Sequence, residues 1–172
     1  GREFDIIELL ATLHSADIAS LIESLEEEKK KKLFALLEVE KASDVISELD
    51  EISREQILGD ISQERLTQIV DDMDSDDAAD LIAELPKKQA EIVLTRIPEE
   101  DSEEVKKLLK YPKDTAGGIM QTELVTVGMD LTIKEAIERI RSLSPDVETI
   151  HNIFVVDNKD KLVGILPLNR LI

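Results

Sequence analysis

The 172-residue sequence predicts a mainly α protein, in which a superhelix of short helices precedes a small α/β module. Three observations lead to this prediction. Residues 2–109 divide without a gap into nine units of twelve residues, and each unit ends in an apolar residue. Proline and serine recur near the unit boundaries. From residue 124 onward, short apolar runs typical of strands flank one amphipathic segment.

The twelve-residue period requires one helix in each unit. Apolar residues at positions 5, 8, 9 and 12 of the unit form the stripe of an amphipathic helix, although position 5 is polar in several units. At ~100° per residue, twelve residues make three turns plus ~120°, so one continuous helix would carry the stripe off any common face. We therefore expect helices of about eight or nine residues, joined by tight turns and stacked into a shared core.

Capping residues predict where the helices begin. Pro86 and Pro98 open consecutive units and are predicted as first-turn prolines. Ser53 with Gln56 resembles a capping box, and Ser75 precedes two aspartates as an N-cap residue would.

The acidity of the chain belongs to the repeat segment. Of the formal net charge of -18, residues 2–109 carry -17, from 30 Asp and Glu against 13 Lys and Arg. This charge repels phosphate backbones, which argues against nucleic-acid binding, and it favours cations or a basic partner; a solvated, solubilising surface is the alternative. The run EEEKKKK at 26–32 is interpreted as a solvated helix face. No cysteine is present, which excludes thiolate chemistry.

From residue 110 the pattern changes. Segment 110–123 is predicted as a linker, in which Gly117 and Gly118 permit the turn between domains and act as a hinge. The following elements are predicted as a strand at 124–127, a helix at 131–143, a hairpin of strands at 153–157 and 162–166, and the start of a helix at 167–172. Their order predicts an α/β domain at 124–172.

The acidic stretch DDMDSDDAADLIAEL raises the question of a metal site. A calcium-binding EF-hand loop does not fit, because a loop counted from Asp72 has Asp77 in place of the sixth-position Gly and Ala83 in place of the final Glu. Asp76 and Asp80 are four residues apart and share one face of the predicted helix. From the residues alone, helix capping and compensation of the helix dipole are the favoured interpretation, and metal binding is the alternative.

Several motifs together resemble the cytosolic region of MgtE-type magnesium transporters, and the resemblance covers essentially the whole chain. Those motifs, beside the acidic array, are Tyr111, TAGGIM at 115–120, TIKEA at 132–136, SPDVETI at 144–150, FVVD at 154–157 and LVGI at 162–165. The resemblance implies a right-handed superhelical N-terminal domain at 2–109, a linker at 110–123 and an incomplete first CBS module at 124–172.

The resemblance also implies a regulatory function. In that family, Mg²⁺ ions bridge the acidic superhelix to the CBS region and hold the pore of a homodimer closed. Matched unit by unit, the implied Mg²⁺ ligands are Asp44, Asp76 and Asp80, with Asp77 adjacent; Asp44 follows from aligning ASDVISEL with AADLIAEL. The implied partners are Mg²⁺, a second copy joined through CBS modules and the protein's own transmembrane pore domain, on the cytoplasmic side of a prokaryotic cell membrane.

Other functions are weighed against this one. The main alternative is a helical-repeat scaffold that binds a protein partner and carries a regulatory CBS module. No serine, histidine and acid constellation and no phosphate loop are present, so an enzyme is not predicted. Nucleotide binding by this module is disfavoured, because Pro167 and Arg170 stand where nucleotide-binding CBS modules have a hydroxyl residue and an aspartate.

Overall fold

The structure is a computed structural model that describes residues 2–120, 124–143, 152–167 and 170. The chain divides into two compact units, Gly1–Met120 and Gln121–Ile172, and each has its own apolar core. The described part of the first unit contains nine helices: α1 (Arg2–Thr12), α2 (Ser15–Glu23), α3 (Glu27–Phe34), α4 (Val39–Glu48), α5 (Glu51–Leu58), α6 (Gln63–Asp71), α7 (Ser75–Glu84), α8 (Lys87–Arg96) and α9 (Glu99–Leu108).

Each twelve-residue unit forms one helix, as the period predicts. From α2 onward, every helix begins at the second residue of its unit, and the first residue is the N-cap. The last residue of the unit follows the helix, and Leu49 and Leu85 are buried at that position. Among the described helices, none is both long enough and apolar enough to cross a membrane. The predicted array of short helices is confirmed, and the handedness of the superhelix stays a prediction.

Helices pack against the helix two units further along the chain. Helix α2 packs on α4, α4 on α6 and α6 on α8, while α3 packs on α5 and α7 on α9. The core follows these contacts, and its fully buried side chains include Ile18, Ile22, Ile46, Leu66 and Ile69. Two consecutive units therefore form one structural repeat, because the unit after next returns to the same stack.

The helix starts differ from prediction by a residue. Helix α7 begins at Ser75 itself, and Asp74 occupies the N-cap position. Pro86 and Pro98 likewise occupy the N-cap positions of α8 and α9 instead of the first turn. In all three cases the N-cap is the first residue of the twelve-residue unit. This holds from α2 onward, whatever the amino acid at that position.

A buried lysine links α3 to α5. Lys30 is only 8% exposed, and its Nζ donates a hydrogen bond to Ser53 Oγ at 2.7 Å. The capping box predicted at Ser53 is wrong, because Asp50 is the N-cap of α5 and its Oδ1 accepts from the Ser53 backbone N–H at 2.7 Å. The hydroxyl of Ser53 instead contacts a neighbouring helix, and the solvated-face interpretation of the EEEKKKK run is wrong at Lys30.

The second unit is a three-stranded sheet with one helix in its described residues. Its elements are β1 (Thr126–Gly128), α10 (Ile133–Leu143), β2 (Asn152–Val156) and β3 (Leu162–Pro167). Strand β2 lies in the centre, parallel to β1 and antiparallel to β3. Val127, Ala136, Ile140 and Ile153 are buried in its core. The predicted order of strand, helix, strand and strand is confirmed; the helix predicted at 167–172 falls largely outside the described residues.

The TIKEA motif caps α10. The backbone N–H of Thr132 donates to Glu135 Oε2 at 2.8 Å, and the Thr132 hydroxyl donates to the same oxygen at 2.7 Å. These hydrogen bonds hold the pKa of the Glu135 carboxyl group below its ordinary value. The motif therefore has a local structural role at the start of the helix.

Candidate functional site

The aspartates predicted as metal ligands lie on the first two turns of α7. Ala78, Ala79, Leu81 and Ile82 are buried on the core side of the helix. Asp76, Asp77 and Asp80 are exposed or partly exposed. The helical period therefore places the three carboxylates on one surface of α7, as the spacing predicted for Asp76 and Asp80.

The carboxyl group of Asp77 lies in surroundings that oppose its charge. Withdrawal from water is the largest cause that raises its pKa, although the residue as a whole is exposed. A hydrogen bond with Ser47 acts in the opposite direction. The negative charges of Asp76, Asp80 and Glu48 raise the pKa further. Any cation placed among these groups relieves the repulsion, so the arrangement favours cation binding.

Glu48, at the end of α4, is the residue of this acidic surface that sequence reasoning missed. Its charge acts on Asp77, so a second helix contributes to the acidic surface of α7. The sequence contained no direct signal for it, because the effect of Glu48 on Asp77 depends on how the helices of the array pack.

One carboxylate oxygen of Asp76 fits the chemistry of a metal ligand. Asp76 Oδ1 is buried and has no hydrogen-bond partner, whereas buried polar atoms usually have one. Mg²⁺ prefers carboxylate oxygens, commonly takes one or two of them and keeps several waters. Among the described residues, no group of three or more His, Asp or Glu side chains is arranged to hold a metal ion. The role of Asp76 and Asp80 as Mg²⁺ ligands stays a prediction, which the unpartnered oxygen of Asp76 favours.

Asp44 has surroundings of its own on α4. It is exposed, and its Oδ2 accepts a hydrogen bond from Ser15 Oγ of α2 at 2.9 Å. It also borders a cavity of about 330 Å³ whose walls include residues of α1 and α4. Within the part of the chain that is described, Asp44 joins no three-residue metal-binding group with the aspartates of α7. Its role as a ligand stays a prediction.

Two basic residues reach the carboxylates on the later turns of α7. Lys113 Nζ lies 3.9 Å from Asp80 Oδ2 and 3.6 Å from Glu84 Oε1, and the lysine side chain is 63% exposed. Arg54 Nε of α5 lies 3.2 Å from Glu84 Oε2, an ion pair without hydrogen-bond alignment. Lys113 belongs to residues 111–119, here called the turn segment. The predicted ligand Asp80 therefore already lies near a cation of the same chain.

The glycines predicted as a hinge lie in the turn segment, where the chain approaches itself closely. Thr115 donates to the Pro112 carbonyl oxygen from its backbone N–H at 3.0 Å and from its hydroxyl at 2.7 Å. A Cβ atom at Gly117 would lie 2.5 Å from the Tyr111 ring, and one at Gly118 would lie 2.3 Å from the Pro112 oxygen. These close approaches explain why glycine is needed at both positions. The hinge role stays a prediction.

Family models match both parts of the chain. The model of the MgtE intracellular N domain matches residues 13–114, and the model of the CBS domain matches residues 116–172. Curated relatives match shorter segments. The magnesium transporter MgtE of Thermus thermophilus is 45% identical over 69 residues, and that of Enterococcus faecalis is 39% identical over 69 residues. Each match covers 40% of this chain and 15% of the relative, so the aligned segment is a small part of those transporters.

Solved structures resemble almost the whole chain. The structure of the soluble part of a magnesium transporter is 28% identical and has a TM-score of 0.81, and the match covers 99% of this chain and 67% of that chain. The cytosolic domain of the Mg²⁺ channel MgtE in complex with ATP is 32% identical and has a TM-score of 0.84. That match covers 96% of this chain and 68% of that one.

Proposed function

The chain belongs to the MgtE intracellular N domain family, and on that premise we propose that it is the Mg²⁺-sensing cytosolic part of a magnesium transporter. Its proposed place is the cytoplasmic side of a prokaryotic cell membrane, where it regulates a transmembrane pore of the same protein. The proposed role is regulation of transport, without catalysis by these residues.

The acidic surface of α7 with Glu48 of α4 is the observation that supports this proposal most directly. Two unit charges ~4 Å apart repel by about 1 kcal/mol in water and about 4 kcal/mol at an effective dielectric constant near 20. Withdrawal from water is the largest cause of the raised pKa of Asp77, and the charges of neighbouring carboxylates add to it. The proposed ligands at this surface are Asp76, Asp77 and Asp80, and Asp44 is proposed to bind an ion elsewhere on the array.

Ion occupancy is the proposed signal. When cytosolic Mg²⁺ is plentiful, ions neutralise the acidic helices and draw them toward a CBS region, which favours the closed pore. When Mg²⁺ is scarce, the ions leave and repulsion between carboxylates returns, which favours opening. An ion that keeps most of its waters suits this role, because weak binding lets occupancy follow concentration.

A second copy of the chain is the proposed protein partner, joined through CBS modules. Strand β3 supports this part of the proposal, because Leu162, Val163 and Ile165 are more than half exposed. Exposed apolar side chains this close together are typical of contact surfaces. Nucleotide binding is not proposed for this module, since Pro167 and Arg170 lack the hydroxyl and the carboxylate that such binding uses.

A Mg²⁺ titration tests the proposed function. We expect NMR signals of α7 to shift at millimolar Mg²⁺ and not with NaCl at equal ionic strength. Asp76→Asn should raise the half-saturating Mg²⁺ concentration at least about tenfold, because even loss of an outer-shell partner commonly has that effect. Glu100→Gln is the matched control, since Glu100 is exposed at the equivalent position of α9.

Two results would count against the proposal. One is an absence of Mg²⁺-specific shifts in the unchanged chain. The other is an equal response of Asp76→Asn and Glu100→Gln, which would reduce the acidic surface to a general attraction for cations. Either result would favour the alternative, a helical-repeat scaffold that binds a protein partner.

A further inference from the structure

We propose that Lys113 is a tethered counter-cation of the acidic surface: it pairs with Asp80 and Glu84 when Mg²⁺ is absent and is displaced from Asp80 when Mg²⁺ binds. Lys113 would then set the Mg²⁺ concentration at which the surface responds. This inference rests on the proposed function and adds a regulatory residue that lies outside the proposed ligand set.

The geometry of Lys113 suits a competitor that can leave. Its Nζ lies 3.6 Å from Glu84 Oε1 and 3.9 Å from Asp80 Oδ2, distances of ion pairs without direct hydrogen bonds. The lysine side chain is 63% exposed, so water can replace its partners readily. Exposed ion pairs of this kind contribute little to stability. A divalent ion can therefore take Asp80 without disturbing the fold.

The two acidic partners of Lys113 differ in their other neighbours. Asp80 is therefore the carboxylate from which Mg²⁺ displaces Lys113. Glu84 also pairs with Arg54 of α5, whose side chain is only 15% exposed. The side chain of Asp80 is 38% exposed and lies on the same helix surface as Asp76. When Mg²⁺ binds Asp80, Lys113 retains Glu84 as a partner, so its displacement is a short movement of one side chain.

The turn segment fixes the backbone from which Lys113 extends. Hydrogen bonds from Thr115 to Pro112 close the turn around Lys113. A Cβ atom at Gly118 would lie 2.8 Å from the Lys113 carbonyl oxygen and 3.0 Å from its Cα. Because these contacts are so close, the backbone position of Gly118 determines the backbone position of Lys113. The hydrogen bonds and close contacts of the turn segment therefore determine where the Lys113 side chain begins.

Mg²⁺ titration of the full chain by calorimetry and NMR tests the inference, with Lys113→Gln as the variant. The substitution removes the charge and keeps much of the side-chain length, so the half-saturating Mg²⁺ concentration should fall about fivefold. Lys110→Gln is the matched control, because it changes the net charge equally at an exposed position three residues away. Screening should limit its effect to less than about twofold.

A second measurement reports displacement directly. Acylation of lysine amines, followed by mass spectrometry, should show that Mg²⁺ increases the labelling of Lys113 relative to Lys110. If the unchanged chain binds Mg²⁺ but Lys113→Gln and Lys110→Gln shift its affinity equally, the inference is wrong and the proposed function stands. If the unchanged chain does not bind Mg²⁺, both are wrong. A fall in half-saturation specific to Lys113→Gln, with the labelling change, supports the inference.

Discussion

At the scale of single residues, Asp77 differs from an ordinary acidic residue in the first turn of a helix. The helix dipole favours a negative charge at that place. Withdrawal from water and neighbouring carboxylates outweigh this effect, so the pKa of Asp77 rises instead of falling. The spacing of the aspartates predicted that they share a surface, but the contribution of Glu48 depends on which helices meet. The sequence alone does not show which helices are neighbours in the fold.

We expect Asp77→Asn to stabilise the protein near neutral pH in the absence of divalent ions. The folded-state pKa lies above the ordinary value of 3.8, so the folded state binds the proton more tightly than the unfolded state does. Ionised Asp77 therefore costs stability above the raised pKa, and that cost disappears as the pH falls through it. The difference in melting temperature between variant and unchanged protein should be positive near pH 7 and shrink toward about pH 4.

Asp17→Asn is the control for this pH dependence, because Asp17 is exposed at the equivalent position of α2. Its melting temperature should follow that of the unchanged protein more closely. A difference for Asp77→Asn that stays constant from neutral to acidic pH would contradict the raised pKa assigned to this carboxyl group.

At the scale of elements, the sequence predicted one helix per unit because a twelve-residue period is incompatible with a continuous helix. It predicted the details of the caps less well. The hydroxyl of Ser53 was assigned to its own helix, whereas Lys30 of α3 donates to it. A sequence pattern reports contacts within a helix, while this contact depends on the stacking of α3 on α5. The domain boundaries predicted at residues 109 and 124 also stay predictions.

The contact between α3 and α5 leads to a stability prediction. Ser53→Ala removes the hydroxyl that Lys30 Nζ contacts at 2.7 Å, so a buried ammonium group loses its partner and the free energy of unfolding should fall by about 1–3 kcal/mol. Lys30→Met removes the buried charge and keeps an apolar stem of similar length, so its cost should be smaller. Urea unfolding followed by circular dichroism measures both values.

The double variant is the control for this pair. Once Lys30 is methionine, Ser53→Ala should cost less than it does in the unchanged protein, because no ammonium group remains to be left unpaired. Additive effects of the two substitutions would show that the hydrogen bond contributes nothing beyond the separate side chains.

At the scale of the whole molecule, the two units differ in the size of their apolar cores. The core of the first unit draws buried residues from all nine of its described helices. The core of the second unit has five buried residues in the described ranges: Val125, Val127, Ala136, Ile140 and Ile153. The change of pattern after residue 109 predicted two regions. The sequence did not predict the difference in core size, because that difference depends on which apolar residues are buried.

We expect residues 2–120 to fold when expressed alone. Their helices bury a shared core within the unit, so urea unfolding should be cooperative and helical circular dichroism should match that expected for nine short helices. Residues 121–172 alone should lack a cooperative transition, because so small a core seldom offsets the loss of chain entropy. A gradual, non-cooperative loss of helix in 2–120 would contradict the prediction.

The closest helix packing joins helices two units apart, which divides the array into two columns. Helices α2, α4, α6 and α8 form one column, and α7 with α9 belongs to the other. Glu48 of the first column therefore acts electrostatically on Asp77 of the second. A divalent ion held between Glu48 and Asp77 would link the two columns and resist the sliding of one past the other. Ion binding would then change the stiffness of the array as well as its charge.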